Sequence, residues 1–244
     1  MTITNTESGT NVHEIADGIY RINTPLPPSL VPGGFSFNQY LIVDDEPLLF
    51  HTGGRRMFPL VREAVGHVMA VERLRYIAFS HFEADECGSL NQWLALAPEA
   101  VPVCGRIAAM TSIEDIADRP PRVLADEERL ALGSKHTVEW LDTPHLPHAW
   151  ECGLMMEQQT RTFLCGDLFT QNGAGERALT ESDILGPSEA SRAEMDYYAH
   201  AKNTRQMIER LATREPTTLA VMHGTAWHGD GAALLRALAD ALEK

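Results

Sequence analysis

The run His-x-Glu-x-Asp-Glu places four metal-capable side chains, His81, Glu83, Asp85 and Glu86, within six residues. It follows an apolar segment, residues 74–79, that predicts a β-strand. Because alternate residues leaving a strand project to one side, we expect His81, Glu83 and Asp85 to converge on one point. Glu86 would then turn toward a neighbouring point. Imidazole and carboxylate ligands at this spacing predict two adjacent metal positions. The alternative is a solvated acidic loop whose histidine caps a helix.

Three further groups of candidate ligands also follow apolar, strand-like segments. His148 belongs to the run Pro-His-Leu-Pro-His-Ala-Trp-Glu, Asp167 follows Cys-Gly, and His223 stands in Met-His-Gly. Loops at strand ends can hold ligands in fixed geometry, so the recurrence predicts one shared site. His145 could replace His148, and His228 could compete with His223.

These groups need a scaffold of strands and helices to hold them together. Strand-rich blocks are followed by helical patterns twice along the chain, which predicts an α+β fold of two face-to-face sheets with helices outside. Among the helices we predict a long one over residues 191–212, opened by the capping box Ser191-Arg-Ala-Glu194. We expect a single domain over residues 12–244, preceded by a flexible N-terminus of residues 1–11.

Composition excludes several classes of partner. The formal net charge is −14, from 34 acidic and 20 basic residues, so nucleic acid and anionic membrane surfaces would be repelled. The four cysteines lack Cys-x-x-Cys spacing, which argues against a zinc ribbon or a disulfide framework. No apolar stretch approaches the ~20 residues of a membrane span. We therefore expect a cytoplasmic protein with neither nucleic-acid nor membrane partners.

The chain resembles the metallo-β-lactamase superfamily, and within it the di-iron branch of flavodiiron and oxygen-binding di-iron proteins. The resemblance rests on the His81 run with Glu83 in its second place, on Phe-His-Thr-Gly-Gly-Arg at residues 50–55, and on the His148 and Asp167 segments. It implies the four-layer αβ/βα sandwich of that fold. Glu86 is a departure, because the family normally has histidine there, and this puts the second metal position in doubt. Since nothing follows Lys244, we expect the flavodoxin domain of flavodiiron proteins to be absent.

The resemblance also implies the ligands. His81, Glu83, His148 and Asp167 would hold the first metal, and Asp85, Glu86, Asp167 and His223 the second, with Asp167 bridging. Asp85 and Glu86 are in addition our candidate catalytic residues. The implied ions are two irons, with zinc, manganese or a mixed pair as alternatives. His51 stands where hydrolase relatives usually carry aspartate, and we expect it to hydrogen-bond to a ligand.

Three functions are compatible with this site. The first is a stand-alone di-iron protein that binds, senses or reduces dioxygen, with nitric oxide as another substrate, a separate redox donor and a homodimeric state. The second is a hydrolase of an ester, thioester or phosphodiester that uses a metal-bound hydroxide. The third is a scaffold with a degenerate site. Four carboxylates favour the first, because a hydrolase needs metals left net positive by neutral histidines.

Overall fold

Two β-sheets stacked face to face form the centre of the structure, a computed structural model that describes residues 1–243. The first sheet contains, in spatial order, β1 (Thr2–Ile3), β2 (Asn11–Ala16), β3 (Ile19–Leu26), β4 (Phe35–Ile42), β5 (Leu48–Phe50), β6 (Tyr76–Ala78), β7 (Val101–Gly105) and β8 (Arg122–Leu124). It is antiparallel from β1 to β5 and parallel from β5 to β8.

The second sheet is built from the rest of the chain. Its strands are β9 (Arg129–Ala131), β10 (Thr137–Asp142), β11 (Gly153–Glu157), β12 (Thr162–Leu164), β13 (Leu179–Thr180), β14 (Thr218–Ala220) and β15 (Ala226–His228). Their spatial order is β13-β15-β14-β12-β11-β10-β9. The pairs β12–β14 and β13–β15 are parallel and the other pairs are antiparallel.

Helices cover the outer face of each sheet. They are α1 (Phe58–Gly66), α2 (Ala84–Cys87), α3 (Leu90–Leu96), α4 (Arg106–Ala108), α5 (Glu114–Ile116), α6 (Leu185–Met195), α7 (Thr204–Ala212) and α8 (Gly231–Leu242). A 3₁₀ turn spans Val71–Arg73, and a π-helical turn, Ala109–Ile113, joins α4 to α5. In the described part of the chain, no helix has the length and apolar character that crossing a membrane requires.

Three apolar cores explain this layering. The central core lies between the sheets and joins Phe50 of the first to Trp140 of the second. One outer core packs Trp93 of α3 against the first sheet, and the other packs Leu235 of α8 against the second. Each sheet therefore buries both faces, which confirms the predicted four-layer αβ/βα sandwich.

The predicted helix over residues 191–212 is wrong, because the structure contains two helices there. The first, α6, ends at Met195, where Asp196 adopts the left-handed conformation with φ 48°, and α7 begins at Thr204. Aspartate tolerates this conformation better than most residues, so it can end a helix. The predicted capping box is also wrong: Ser191 lies inside α6, and its hydroxyl donates to the Pro187 carbonyl oxygen 3.2 Å away.

The N-terminal segment is in contact with the first sheet. Thr2 and Ile3 of β1 pair with Val12 and Asn11 of β2. The flexibility of residues 1–11 stays a prediction. The single domain predicted over residues 12–244 also stays a prediction, and its last residue, Lys244, lies outside the described part.

Candidate metal centre

The His81-to-Glu86 run leaves β6 as a turn and then enters the short helix α2. Glu83 is the extended residue before the helix, with φ −132°, and Asp85 and Glu86 lie within its single turn. Successive helical residues point about 100° apart, so strand-like alternation ends at Glu83. The expectation that Asp85 converges with His81 and Glu83 is therefore wrong.

His81 and Glu83 are joined by His148 in a first group of ligand-type atoms. One such atom from each residue lies within 4.8 Å of the other two. The His81 and His148 Nε2 atoms are 3.0 Å apart, and Glu83 Oε1 is 3.3 Å from His148 Nε2. Two imidazole nitrogens and one carboxylate thus face a common point.

Asp85 contributes instead to a second group, with Glu86 and His223. Their ligand-type atoms also lie within 4.8 Å of one another, and His223 Nε2 is 3.6 Å from Asp85 Oδ2. Glu86 reaches toward the first group as well, because its Oε2 is 4.0 Å from His81 Nε2. The Glu86 carboxylate is fully buried between the two groups.

Asp167, in the turn after β12, stands between these groups. Its Oδ2 is 3.4 Å from His148 Nε2 and 3.7 Å from His81 Nε2. Its Oδ1 is 3.5 Å from His223 Nε2. One carboxylate therefore presents one oxygen to each group, the arrangement that a bridging ligand requires.

Neighbouring hydrogen bonds orient two of the three imidazoles. His223 Nδ1 donates to the Ser36 carbonyl oxygen at 2.9 Å. His81 Nδ1 donates to Ser80 Oγ at 2.9 Å, and Ser80 Oγ is 3.0 Å from His51 Nε2. Each bond places the proton on Nδ1 and leaves the Nε2 lone pair for a metal.

His51 supports His81 through Ser80, so the expected direct bond from His51 to a ligand is wrong. Burial lowers the pKa of His51 to about 3, which keeps its ring neutral. A neutral ring can accept the Ser80 hydroxyl proton at Nε2 while its Nδ1 faces Met222 Sδ at 2.9 Å. The contact depends on the tertiary fold, and we find no sequence signal that would have identified Ser80.

The charges of the site need cations to balance them. Burial, followed by the negative charges of Asp167 and Asp85, raises the pKa of Glu86 well above its ordinary value. A hydrogen bond to His148 lowers the pKa of Glu83 to about 2. Both Glu86 oxygens and Asp167 Oδ1 are buried without a hydrogen-bond partner in the described part of the chain. Four carboxylates and three imidazoles with unused lone pairs fit two divalent ions.

The two alternative histidines lie away from these groups in the described structure. His145 is exposed with φ 66°, and its backbone N–H donates to the Ala149 carbonyl oxygen. His228 is exposed at the end of β15, with Nδ1 3.3 Å from Thr218 Oγ1. His148, and not His145, lies near Asp167, and His223, and not His228, lies there as well.

A cleft of about 450 Å³ opens onto the site. Its apolar wall consists of Phe35, Phe37, Met57, Met195 and Tyr197. The Phe35 and Phe37 ring centroids lie 4.5 and 5.3 Å from that of His223. These phenylalanines precede the ligands by a long stretch of chain, so only the fold brings them here.

Four other aromatic residues lie away from the cleft wall. Trp150 is 56% exposed, Phe169 and Tyr198 are buried in the outer core of the second sheet, and Trp227 packs against that core. All four cysteines are buried and free. Burial raises the pKa of the Cys87 thiol and of the Cys165 thiol, which makes both unreactive.

Comparison with known proteins identifies relatives of this chain. The rubredoxin-oxygen oxidoreductase of Megalodesulfovibrio gigas is 28% identical over 82% of this chain and 51% of its own length. The anaerobic nitric oxide reductase flavorubredoxin of Salmonella arizonae is 24% identical over 80% of this chain and 42% of its own length. The chain spans between 28% and 51% of the length of the curated relatives it matches.

The fold is shared with solved flavodiiron structures. A metal-soaked flavodiiron core from Synechocystis sp. aligns with a TM-score of 0.76 and 20% identity, over 96% of this chain and 61% of that one. Residues 35–224 match the family described as ODP family beta lactamase. This match covers more than three quarters of the sequence, and the chain therefore belongs to the ODP family within the metallo-β-lactamase superfamily, with flavodiiron proteins among its relatives.

Proposed function

We propose that this protein holds two iron ions and uses them to bind, sense or reduce dioxygen, with nitric oxide as a second diatomic substrate. The observation that carries the proposal is Asp167, whose two oxygens lie 3.4 Å from His148 Nε2 and 3.5 Å from His223 Nε2. The names of two relatives, an oxygen oxidoreductase and a nitric oxide reductase, support the choice of substrates.

The ligand assignment follows the two groups. His81, Glu83 and His148 would hold the first iron, and Asp85, Glu86 and His223 the second. Asp167 would bridge them.

The four carboxylates favour redox chemistry over hydrolysis. When bound, the irons would supply electrons to dioxygen, and carboxylate charge stabilises the more positive, oxidised pair. In a hydrolase the same charge would weaken the Lewis acidity that activates water. The Coulomb attraction between these carboxylates and two trivalent irons is stronger where the carboxylates are close together and poorly solvated.

The residues around the cleft suit a small apolar substrate. Phe35, Phe37 and Met57 give it an apolar lining that suits a diatomic gas. Burial raises the pKa of Tyr197 to about 12, so the phenol keeps its proton, and it donates to the Asp167 carbonyl oxygen at 3.2 Å. Tyr197 therefore holds the bridging residue from the cleft side.

Several wider features belong to the same proposal. Residues 12–244 would act as one domain in the cytoplasm, and the chain would form homodimers. Asp85 and Glu86 would be the carboxylates nearest the reacting substrate. A separate redox protein would deliver electrons for turnover. A protein that binds dioxygen without turnover would need no such donor.

Metal analysis and oxygen exposure test this function. We expect protein purified anaerobically without added metal to contain about two irons per chain, since seven side chains offer ligands for two ions. Oxygen added to the reduced protein should produce a near-ultraviolet absorption band. Zinc-loaded protein is the control, because zinc has no redox chemistry and should show no band. Two zincs with esterase activity in the purified protein would instead establish the hydrolase.

Replacing Ser80 with alanine should weaken the first metal position. The hydroxyl fixes the tautomer of His81, and loss of such an outer partner typically costs about 10- to 100-fold in metal affinity. Stepwise titration against a competing chelator measures this loss. Ser182→Ala, on an exposed turn, is the matched control and should leave affinity unchanged. Equal affinities in the Ser80 variant and the wild type would refute the role of this relay.

A further inference from the structure

Arg21, on β3, is a charged residue in the interior between the two sheets. Its side chain is fully buried, and within residues 1–243 no carboxylate lies within 4.0 Å of it. Burial lowers its pKa to about 10, so the guanidinium is still a cation at neutral pH. Burying a charge without an ion-pair partner is costly, and such a residue needs other strong interactions to remain in place.

One guanidinium nitrogen, Nη2, obtains those interactions from two glycine carbonyls, whereas Nε and Nη1 have no hydrogen-bond partner in the described part of the chain. Arg21 Nη2 donates to the Gly224 carbonyl oxygen at 2.7 Å and to the Gly175 carbonyl oxygen at 3.0 Å. Gly224 directly follows His223, and Gly175 belongs to the loop that leads from Asp167 toward α6. Hydrogen bonds from a cation are about twice as strong as neutral ones. A single atom, Arg21 Nη2, therefore binds both loops.

Both glycines adopt left-handed backbone conformations, and Gly175 is also required by the close approach of Arg21. Gly175 has φ 63° and Gly224 has φ 99°, in the region that favours glycine. A Cβ on Gly175 would lie 2.5 Å from Arg21 Nη2 and 2.9 Å from Ser36 Oγ. A side chain at Gly175 would displace the guanidinium, so the close approach is a specific feature of this junction.

The first sheet holds the rest of the His223 turn through neutral groups. Asn38 Nδ2 donates to the carbonyl oxygens of Val221 and Gly224 at 2.8 and 2.9 Å, and Tyr40 Oη donates to that of Val221 at 2.7 Å. The turn therefore lies on β3 and β4, and Arg21 supplies its charged contact. His223 itself donates from Nδ1 to Ser36 of β4.

We propose that Arg21 is a positioning residue for the second metal position, acting through Gly224 to hold His223 and through Gly175 to hold the adjoining loop. This inference rests on the proposed dinuclear site. His223 is the one imidazole in the Asp85–Glu86–His223 group, so an error in its placement removes the only nitrogen ligand of that position. The first position has two imidazoles of its own, those of His81 and His148, and should therefore depend less on this turn.

Stepwise cobalt(II) titration of the full chain, followed by its visible absorption, tests the inference. In Arg21→Met and Arg21→Lys we expect the affinity for the second cobalt ion to fall about 10- to 100-fold, the usual cost of losing a supporting partner. The affinity for the first ion should stay within about threefold. General destabilisation would not separate the two ions in this way.

Arg119→Met is the matched control. Arg119 donates to three backbone carbonyls, those of Leu94, Ala97 and Ala100, beside α3 and away from His223. It should leave both cobalt affinities unchanged. Gly175→Ala tests the same contact from the other side, in case the Arg21 variants fail to fold, and it should also weaken the second ion selectively.

Two outcomes would overturn the inference, and they differ in what they say about the function. Wild-type protein that binds two cobalt ions, with Arg21 and Gly175 variants that bind both equally well, would refute the role of Arg21 alone. Wild-type protein that binds fewer than two ions would refute the dinuclear site and this inference together.

Discussion

Replacing Asp167 with asparagine should leave the protein with less than about one metal ion per chain, because this carboxylate serves both positions. Its Oδ2 faces His81 and His148, and its Oδ1 faces His223. An asparagine keeps the shape but replaces one oxygen by an NH₂ group, which donates hydrogen bonds and cannot bind a metal. Loss of an outer partner alone costs about 10- to 100-fold, so loss of a shared ligand should cost more.

Elemental analysis of the purified protein measures this effect, with thermal unfolding as the test of folding. Asp142→Asn is a matched control, because Asp142 also ends a strand of the second sheet and its Oδ1 accepts a hydrogen bond from Trp140 Nε1 at 2.7 Å. Within the described chain it belongs to neither group of ligand-type atoms, and the variant should retain full metal content. A folded Asp167→Asn protein that keeps both ions would contradict the bridging assignment.

The fold and the position of the site follow largely from local sequence patterns. Apolar segments end at residues that can bind metals, and these ends meet at one edge of the sandwich because both sheets stop there. The four-layer arrangement follows from strand blocks that need covering helices. The segments that carry His81, His148, Asp167 and His223 were therefore predictable as neighbours from where they stand relative to their strands, whereas the choice of His148 over His145 came from the family resemblance.

The directions of side chains were less predictable. Alternation in a strand placed Asp85 with His81, but helix α2 begins at Ala84 and turns Asp85 toward His223. Sequence alone does not fix where a strand-like turn becomes a helix, since a single helical turn has little intrinsic stability and depends on tertiary contacts.

Contacts between distant segments could not be read from the sequence. The Ser80–His51 relay and the contact of Arg21 with Gly175 join residues that only the folded sheets bring together. The Arg21–Gly175 pair joins β3 of the first sheet to a loop that precedes β13. The hydrophobic periodicity of a strand does not reveal a buried arginine. Arg21 is held by backbone carbonyl oxygens, and these leave no pattern of side chains in the sequence.

Replacing Glu86 with glutamine should stabilise the metal-free protein increasingly as pH rises. The folded-state pKa of Glu86 is raised above the unfolded value of 4.5, chiefly by burial. Between these two values the folded state holds a proton that the unfolded state has lost, so stability is greatest below the unfolded pKa and falls as pH increases. The slope approaches about 1.4 kcal/mol per pH unit for one proton. Glutamine does not titrate, and the variant escapes this loss.

Urea denaturation in the presence of a chelator, at several values between about pH 5 and pH 8, measures the difference in unfolding free energy between variant and wild type. Glu243→Gln is the control with the opposite sign. A hydrogen bond from Arg205 lowers the pKa of Glu243, so the contribution of this carboxylate is fully present above its unfolded pKa and is lost only as pH falls. Neither partner of this pair changes its charge between pH 5 and pH 8, so the Glu243→Gln difference should be flat where the Glu86→Gln difference rises. Two flat curves would mean that Glu86 is ionised in the metal-free protein, and that its buried position holds a charge without help from a metal.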